Sequence, residues 1–274
     1  MSSSRTKVAV LGLGMAGAYA AKAASDKGCF VHVYQHGETE FPLGAFWQHW
    51  VPPDIAEAVP ATSIRMIPEG TASKYMSLQW GRVPNNHIKS SFPKRTKVVA
   101  GYNPEKVLAA MQPENIIKLE YPLSTEEIFE ICEQYDFVFQ TFRADYSFAD
   151  QKPLIPFWTA AMYDSCDPEI NEVWYNGTGN GHIVRSAKLW GNQYFEFPKY
   201  LSYEEIRKVT PARMLEKMVF QELKDMSPFT VGFQPSVFSP SNLYFAGRWA
   251  EWNNKRLTHQ VYALVEETIN AQLS

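Results

Sequence analysis

Three glycines, at positions 12, 14 and 17, constrain this chain more than any other feature it carries. They follow a short apolar, β-branched run, Lys7 to Leu11 (KVAVL), and open an alanine-rich stretch, Ala18 to Lys27, that Gly28 stops. Gly-x-Gly-x-x-Gly alone is a weak signal. Between a strand and a helix it predicts a dinucleotide site, because each glycine then has a separate physical task. Gly12 allows the tight turn, Gly14 lets the backbone approach a pyrophosphate, and Gly17 lets the helix pack closely on the strand. The first helical turn, with Met15 and Ala16, presents N–H groups and the positive dipole end to the phosphates. Phe30 to Gln35 (FVHVYQ) alternates as a second strand and completes a βαβ unit.

The ribose position departs from the usual pattern. An Asp or Glu is expected at the end of the second strand; here the residue is Gln35, followed by His36 and Glu38. A Gln side chain still donates and accepts hydrogen bonds to ribose hydroxyls. No Arg stands nearby for a 2′-phosphate, which disfavours NADP. The C-terminal segment NLYFAGRWAEWNNKRLTHQVYALVEE separates FAD from NAD. Many FAD proteins return to the cofactor at the chain end through a strand, a Gly and a helix. Here Gly247 permits close approach, and the Arg248 guanidinium suits a pyrophosphate. Lys255, Arg256 and Leu257, at the expected start of a last helix from Asn254 to Leu273, would aim N–H groups at the O2/N1 edge of the flavin.

Between the ends, prolines at 42, 52, 53, 60, 68, 84 and 93 break up the helical pattern from His36 to Lys97, which reads as loop-rich structure with short elements. Ser124 and Glu127 form the signature of a capping box for a helix from Ser124 to Gln134. Asp136 to Thr141 (DFVFQT) reads as a further parallel strand, and Thr141 at its end joins the cofactor-binding candidates. Leu154 to Phe197 reads as a small antiparallel sheet with turns at Asn176-Gly177 and Gly179-Asn180-Gly181. Tyr203 to Asp225 reads as mostly helical.

Several of these segments resemble the UDP-galactopyranose mutase and amine oxidase-like flavoproteins. KVAVLGLGMAGAYAA is similar to their dinucleotide loop. Pro42-Leu43-Gly44-Ala45 resembles the Gly-Gly loop after their second strand, with one glycine kept. YDFVFQTFRADYSFAD (135 to 150) is similar to a mutase strand-and-turn segment, and NLYFAGRWAEW to the mutase GRxxxY segment. WYNGTGNGHIVRSAKLWG (174 to 191) is similar in spacing to a strand pair that carries an Arg near flavin and substrate, here Arg185. The resemblance implies an α/β, Rossmann-like FAD/NAD(P)-binding three-layer fold with an interleaved antiparallel-sheet substrate region. Residues 1–45, 119–150 and 236–274 would form the FAD-binding part, 46–118 a loop-rich cap, and 151–235 the substrate domain. It also implies FAD as cofactor, with Gly44 and Ala45 added to the cofactor-binding set. The departures are real: the 45–120 region is too short for the mutases' helical substrate domain, and Arg256-Leu257 stands where they carry Asp-Met.

Bulk properties limit the alternatives. A net charge of −3 and a pI near 6.1 give no global basic field, so nucleic acid is not indicated. Three cysteines, Cys29, Cys132 and Cys166, lie far apart without metal-site spacing, so no metal is expected. No apolar run approaches membrane-spanning length and the N-terminus has no signal-peptide pattern, so a cytoplasmic protein without membrane contact is expected.

Three readings follow. The first is an FAD-dependent oxidoreductase that moves hydride from a small amine- or amino-acid-like substrate, a modified nucleotide or DNA base included, to flavin N5. Trp47, Trp50, Trp80 and Trp252 would wall the pocket, Arg185 would hold an anionic group, and His259 and His49 are the other catalytic candidates. The second is a mutase-like sugar-nucleotide isomerase using reduced flavin as nucleophile. The third is a protein that binds FAD without catalysis.

Overall fold

The computed structural model describes residues 5–37, 46–81, 91–142, 154–163, 166–226, 239–247, 250–251 and 257–273. The chain folds as two compact units that interleave in sequence: 1–41, 107–153 and 229–274 form the first, 42–106 and 154–228 the second.

The chain opens with β1 (Lys7–Leu11), α1 (Met15–Asp26) and β2 (Phe30–His36). It then enters the second unit through α2 (Pro53–Ala58), β3 (Thr62–Gly70), α3 (Ala72–Trp80) and β4 (Lys97–Gly101), and α4 (Pro104–Ala110) leads back. The first unit resumes with β5 (Ile116–Leu119), α5 (Thr125–Gln134) and β6 (Phe137–Gln140). The second resumes with β7 (Leu154–Met162), β8 (Glu172–Gly177), β9 (Arg185–Leu189), β10 (Asn192–Glu196), α6 (Tyr203–Val209), α7 (Ala212–Leu215) and β11 (Val219–Met226). Finally β12 (Leu243–Phe245) and α8 (Gln260–Leu273) return to the first unit.

The first unit is a five-stranded sheet in the order β12-β6-β1-β2-β5, every neighbouring pair parallel. Parallel strands need both faces covered, and β1 is apolar on both: Val8, Ala9, Val10 and Leu11 are each fully buried. Ala9 and Leu11 pack against Ile128, Ile131 and Cys132 of α5. Alternation turns Val8 and Val10 to the other face, where α1 packs on β1 and β2 and α8 packs on α1. Tyr262 of α8 donates to Asp26 of α1 at 2.7 Å, and Lys27 pairs with Glu266 at 3.1 Å. This is the three-layer, Rossmann-like arrangement expected from the sequence.

The capping box at α5 is also as expected. Glu127 N–H donates to the Ser124 hydroxyl at 3.2 Å, and Ser124 N–H donates to the Glu127 carboxylate at 2.7 Å. Ser202 and Glu205 repeat it at α6. Hydrogen bonds from the serine backbone and side chain hold both carboxylates below the ordinary glutamate value. The stability they contribute is therefore complete above the unfolded-state value and is lost as pH falls through the lower folded-state value. Ser124→Ala should remove about 1 kcal/mol at neutral and acid pH alike, read from urea midpoints, because the bond it deletes joins the Glu127 N–H to a neutral hydroxyl.

The second unit differs from expectation. Instead of a small antiparallel sheet beside a loop-rich cap, residues 42–106 and 154–228 share one seven-stranded sheet, β11-β7-β10-β9-β8-β3-β4. All its pairs are antiparallel except β3 with β8. Among the described prolines, Pro53 starts α2, Pro60 precedes β3, and Pro68 stands opposite Tyr175 of β8, past the stretch of β3 that β4 reaches. Ile64 and Met66 of β3 alternate inward. The expectation of helix from Tyr203 to Asp225 fails after Leu215, because Val219–Met226 pairs with Leu154–Ala161 of β7. Trp190 (φ 52°) and Gly191 (φ 85°) turn β9 into β10, and the Trp190 ring packs on the unit's core. β5 went unforeseen from the sequence.

Candidate functional site

At the end of β1 the glycine loop takes the predicted shape. Gly12 has φ +97°, in the left-handed region, and its N–H donates to the Tyr34 carbonyl at 2.8 Å. A Cβ on Gly17 would lie 1.9 Å from the Gly12 carbonyl oxygen, so helix and turn meet without room for a methyl group. A Cβ on Gly14 would meet nothing within 4 Å. Gly14 is the N-cap of α1, and its carbonyl accepts from Ala18 N–H at 3.0 Å. No side chain caps this helix end and its first turn holds no acid. Open space thus lies beside a helix end whose first N–H groups have no intrahelical acceptor.

Thr141 braces the loop from below. Its hydroxyl lies 2.9 Å from the Leu11 carbonyl and 3.1 Å from that of Gly12, and its own N–H donates to Leu11 at 2.9 Å. Gly247 has φ +109°, and a Cβ there would come 3.1 Å from Ala16 Cβ, so the chain's return passes against the first turn of α1. The Gly247 N–H donates to the Glu251 carboxylate at 2.9 Å. Gln35 stands near the end of β2, with its amide donating to the Gly37 carbonyl at 3.0 Å.

The last helix begins later than expected. Leu257, Thr258 and His259 form turns with i to i+3 bonds, and the Gln260 side chain reaches back to accept from Leu257 N–H at 2.9 Å. α8 therefore starts at Gln260, and His259 precedes it; burial lowers the pKa of its imidazole. The sequence-predicted residues Gly44, Ala45, Arg248, Trp252, Lys255 and Arg256 lie outside the described residues.

The second unit holds the remaining candidates. Arg185 and Glu196 are directly opposed in the β9–β10 hairpin and pair at 2.5 Å. The guanidinium lies 4.4 Å over the Phe46 ring and 5.8 Å from the ring of Tyr175, and Gln79 donates to the other Glu196 oxygen at 3.3 Å. Burial opposes the Arg185 charge, but Glu196, with Tyr75 and Tyr175, more than reverses this and raises its pKa. Burial pushes the phenols of Tyr75 and Tyr175 up, so both stay neutral. Arg185 Nε is buried with no hydrogen-bond partner.

Trp47 is buried in this unit's core, and Trp80 packs against the same core. The Trp47 indole donates to His49 Nδ1 at 3.1 Å, which makes Nδ1 the unprotonated nitrogen. Trp50 is 38% exposed. Lys199, which sequence reading passed over, sets its ammonium 4.2 Å over the Trp80 ring. Glu196 was passed over too; the two-residue turn at Trp190-Gly191 would have shown it, since counting outward from the turn pairs 185 with 196. Among the described residues no group of His, Cys, Asp and Glu could hold a metal ion, and no helix is long and apolar enough to cross a membrane.

No protein-family model and no curated protein sequence matches the chain. Solved structures do. The chain is similar to a reduced UDP-galactopyranose mutase at TM-score 0.62 and 10% identity, over 99% of this chain and 94% of the other. It is similar to L-proline dehydrogenase from P. horikoshii at TM-score 0.56 and 10% identity, over 98% and 94%. It is similar to glycine oxidase from Geobacillus kaustophilus at TM-score 0.52 and 11% identity, over 98% and 95%. At such identities the likeness is one of fold.

Proposed function

We propose that this protein is an FAD-dependent oxidoreductase that takes hydride from a small amine- or amino-acid-like substrate. The observation that carries the cofactor is the open space at Gly14 beside an uncapped helix end, in a fold shared with an amino-acid dehydrogenase and an amino-acid oxidase. Bound FAD would supply the two-electron acceptor, at flavin N5.

The chain's own residues would do the rest. The N–H groups of Met15, Ala16 and Gly17 would face the pyrophosphate, with Gly14 leaving it room and Gly12 and Thr141 fixing the turn. Gln35 would meet the ribose hydroxyls. Gly44, Ala45, Arg248 and the 255–257 segment complete the proposed cofactor contacts. On the substrate side Trp50 is the exposed ring of the described tryptophans, while Trp47 and Trp80 are braced by packing. Arg185 would hold a substrate anion only through what Glu196 leaves it.

Likeness to the mutase supports a second reading, nucleotide-sugar isomerisation without net redox change. One experiment separates the readings. The purified protein should be yellow, with the visible spectrum of oxidised flavin. Proline, glycine or a secondary amine should bleach it anaerobically as the substrate C–N bond loses two electrons and becomes an imine. Turnover of UDP-galactopyranose only after prior reduction would instead support the mutase. Bound, reducible flavin with neither activity would leave a binder, and a colourless protein that takes up no FAD would end all three.

A further inference from the structure

The chain holds two Asn-Gly dipeptides, Asn176-Gly177 and Asn180-Gly181, at the turn between β8 and β9. In such a pair the backbone nitrogen of the glycine can attack the asparagine side chain. Glycine has no Cβ to obstruct the approach and the freest backbone with which to make it. We propose that Asn180-Gly181 is a site of spontaneous deamidation in the folded protein, and that the fold shields Asn176-Gly177 from the same reaction.

The step needs only water as co-reactant, and nothing is oxidised or reduced. The Gly181 nitrogen bonds to Asn180 Cγ, the Cγ–Nδ2 bond breaks, and Nδ2 leaves as ammonia with the proton from Gly181. Water then opens the five-membered imide. Opening at Cγ gives aspartate. Opening at the backbone carbonyl gives isoaspartate, with the chain routed through Cβ. Either product adds a carboxylate to the loop that leads into Arg185 of β9.

The surroundings favour the second dipeptide. Asn180 and Gly181 are both exposed, and a Cβ on Gly181 would meet nothing within 4 Å. The Asn180 carbonyl accepts from the Asn176 amide at 2.7 Å, and the Asn180 N–H donates to the Thr178 hydroxyl at 3.2 Å. These bonds turn the carbonyl toward Asn176, so across the trans peptide the Gly181 N–H points away from it. They leave the Asn180 side chain free to swing toward that nitrogen.

Asn176 is held on every side. Its Nδ2 donates to the carbonyls of Asn180 and Ile183, at 2.7 and 2.9 Å. Its Oδ1 accepts from the Thr178 N–H at 3.1 Å and the Thr178 hydroxyl at 2.7 Å. Gly177 is buried, and a Cβ there would lie 2.5 Å from the Thr71 carbonyl oxygen and 2.8 Å from that of Glu69. An imide at this position has no room to form until the end of β8 opens and four side-chain hydrogen bonds break.

The test compares the purified full chain, folded, with the same chain unfolded in urea. Both are held for weeks at neutral pH in heavy-oxygen water, which marks each conversion, and are then digested and mapped by mass spectrometry. In the folded chain Asn180 should convert at least about tenfold faster than Asn176, because Asn176 reacts only through local opening. In the unfolded chain the two rates should agree within about threefold, since the shielding is gone. Equal rates at the two positions in the folded chain would overturn the proposal. So would an Asn180 that stays intact in the folded chain, whether or not it converts in urea.

Discussion

Gly14→Ala should leave the folded chain nearly as stable as before and strip it of cofactor, while Gly17→Ala should damage the fold itself. The two residues lie three apart on one loop, yet a methyl group meets opposite surroundings. At Gly14 it points into space with nothing within 4 Å, at φ −82° and ψ −173°, where any residue is at ease. Alanine is a poorer N-cap than glycine but restricts the unfolded chain, so the net change should stay within about 1 kcal/mol. If a pyrophosphate fills that space, the methyl displaces it, and FAD affinity should fall by roughly 100-fold. At Gly17 the methyl lands 1.9 Å from a backbone oxygen and 2.9 Å from its carbon, neither of which can move without moving β1 or α1. A loss of roughly 3 kcal/mol is expected, with cofactor binding lost alongside. Urea unfolding of the apoprotein and FAD titration read both. Wild-type FAD affinity in Gly14→Ala would remove the physical ground for placing a dinucleotide there.

What could be read in the sequence was what neighbouring residues decide between themselves. The β1–α1–β2 unit, the Ser124–Glu127 box and the C-terminal return are fixed by residues a few positions apart. The first is sterically forced, since only glycine fits between the turn and the helix. What stayed hidden was set by partners far along the chain. β3 is a strand because β8, a hundred residues later, pairs beside it. β11 falls at the end of the stretch expected as helix, Tyr203 to Asp225, but β7 offers it eight paired positions. The candidate site divides the same way. The glycine loop was legible, while Arg185 was found without its partner. That partner follows from a hairpin turn whose first central residue is Trp190, a residue type that rarely takes a positive φ.

Glu196→Gln should be the most destabilising polar substitution in the second unit, and its outcome decides what Arg185 does. Glu196 is 3% exposed, and it is the carboxylate that Arg185 contacts. Removing its charge leaves a guanidinium packed among Phe46, Tyr75 and Tyr175 with nothing to balance it. Breaking one side of such a buried pair costs about 3–5 kcal/mol, whereas replacing both members with apolar groups is often neutral. Arg185→Met/Glu196→Leu should therefore recover to within about 1 kcal/mol of the wild type, a strong non-additivity visible in urea midpoints. That result would make the pair a packing element, and the double variant should keep its substrate KM. The opposite pattern has a different meaning. If Glu196→Gln unfolds at nearly the wild-type midpoint yet binds an anionic substrate more tightly, the guanidinium is reachable from the pocket. Glu196 then tunes a charge that the substrate uses, and the double variant should lose substrate binding rather than recover stability.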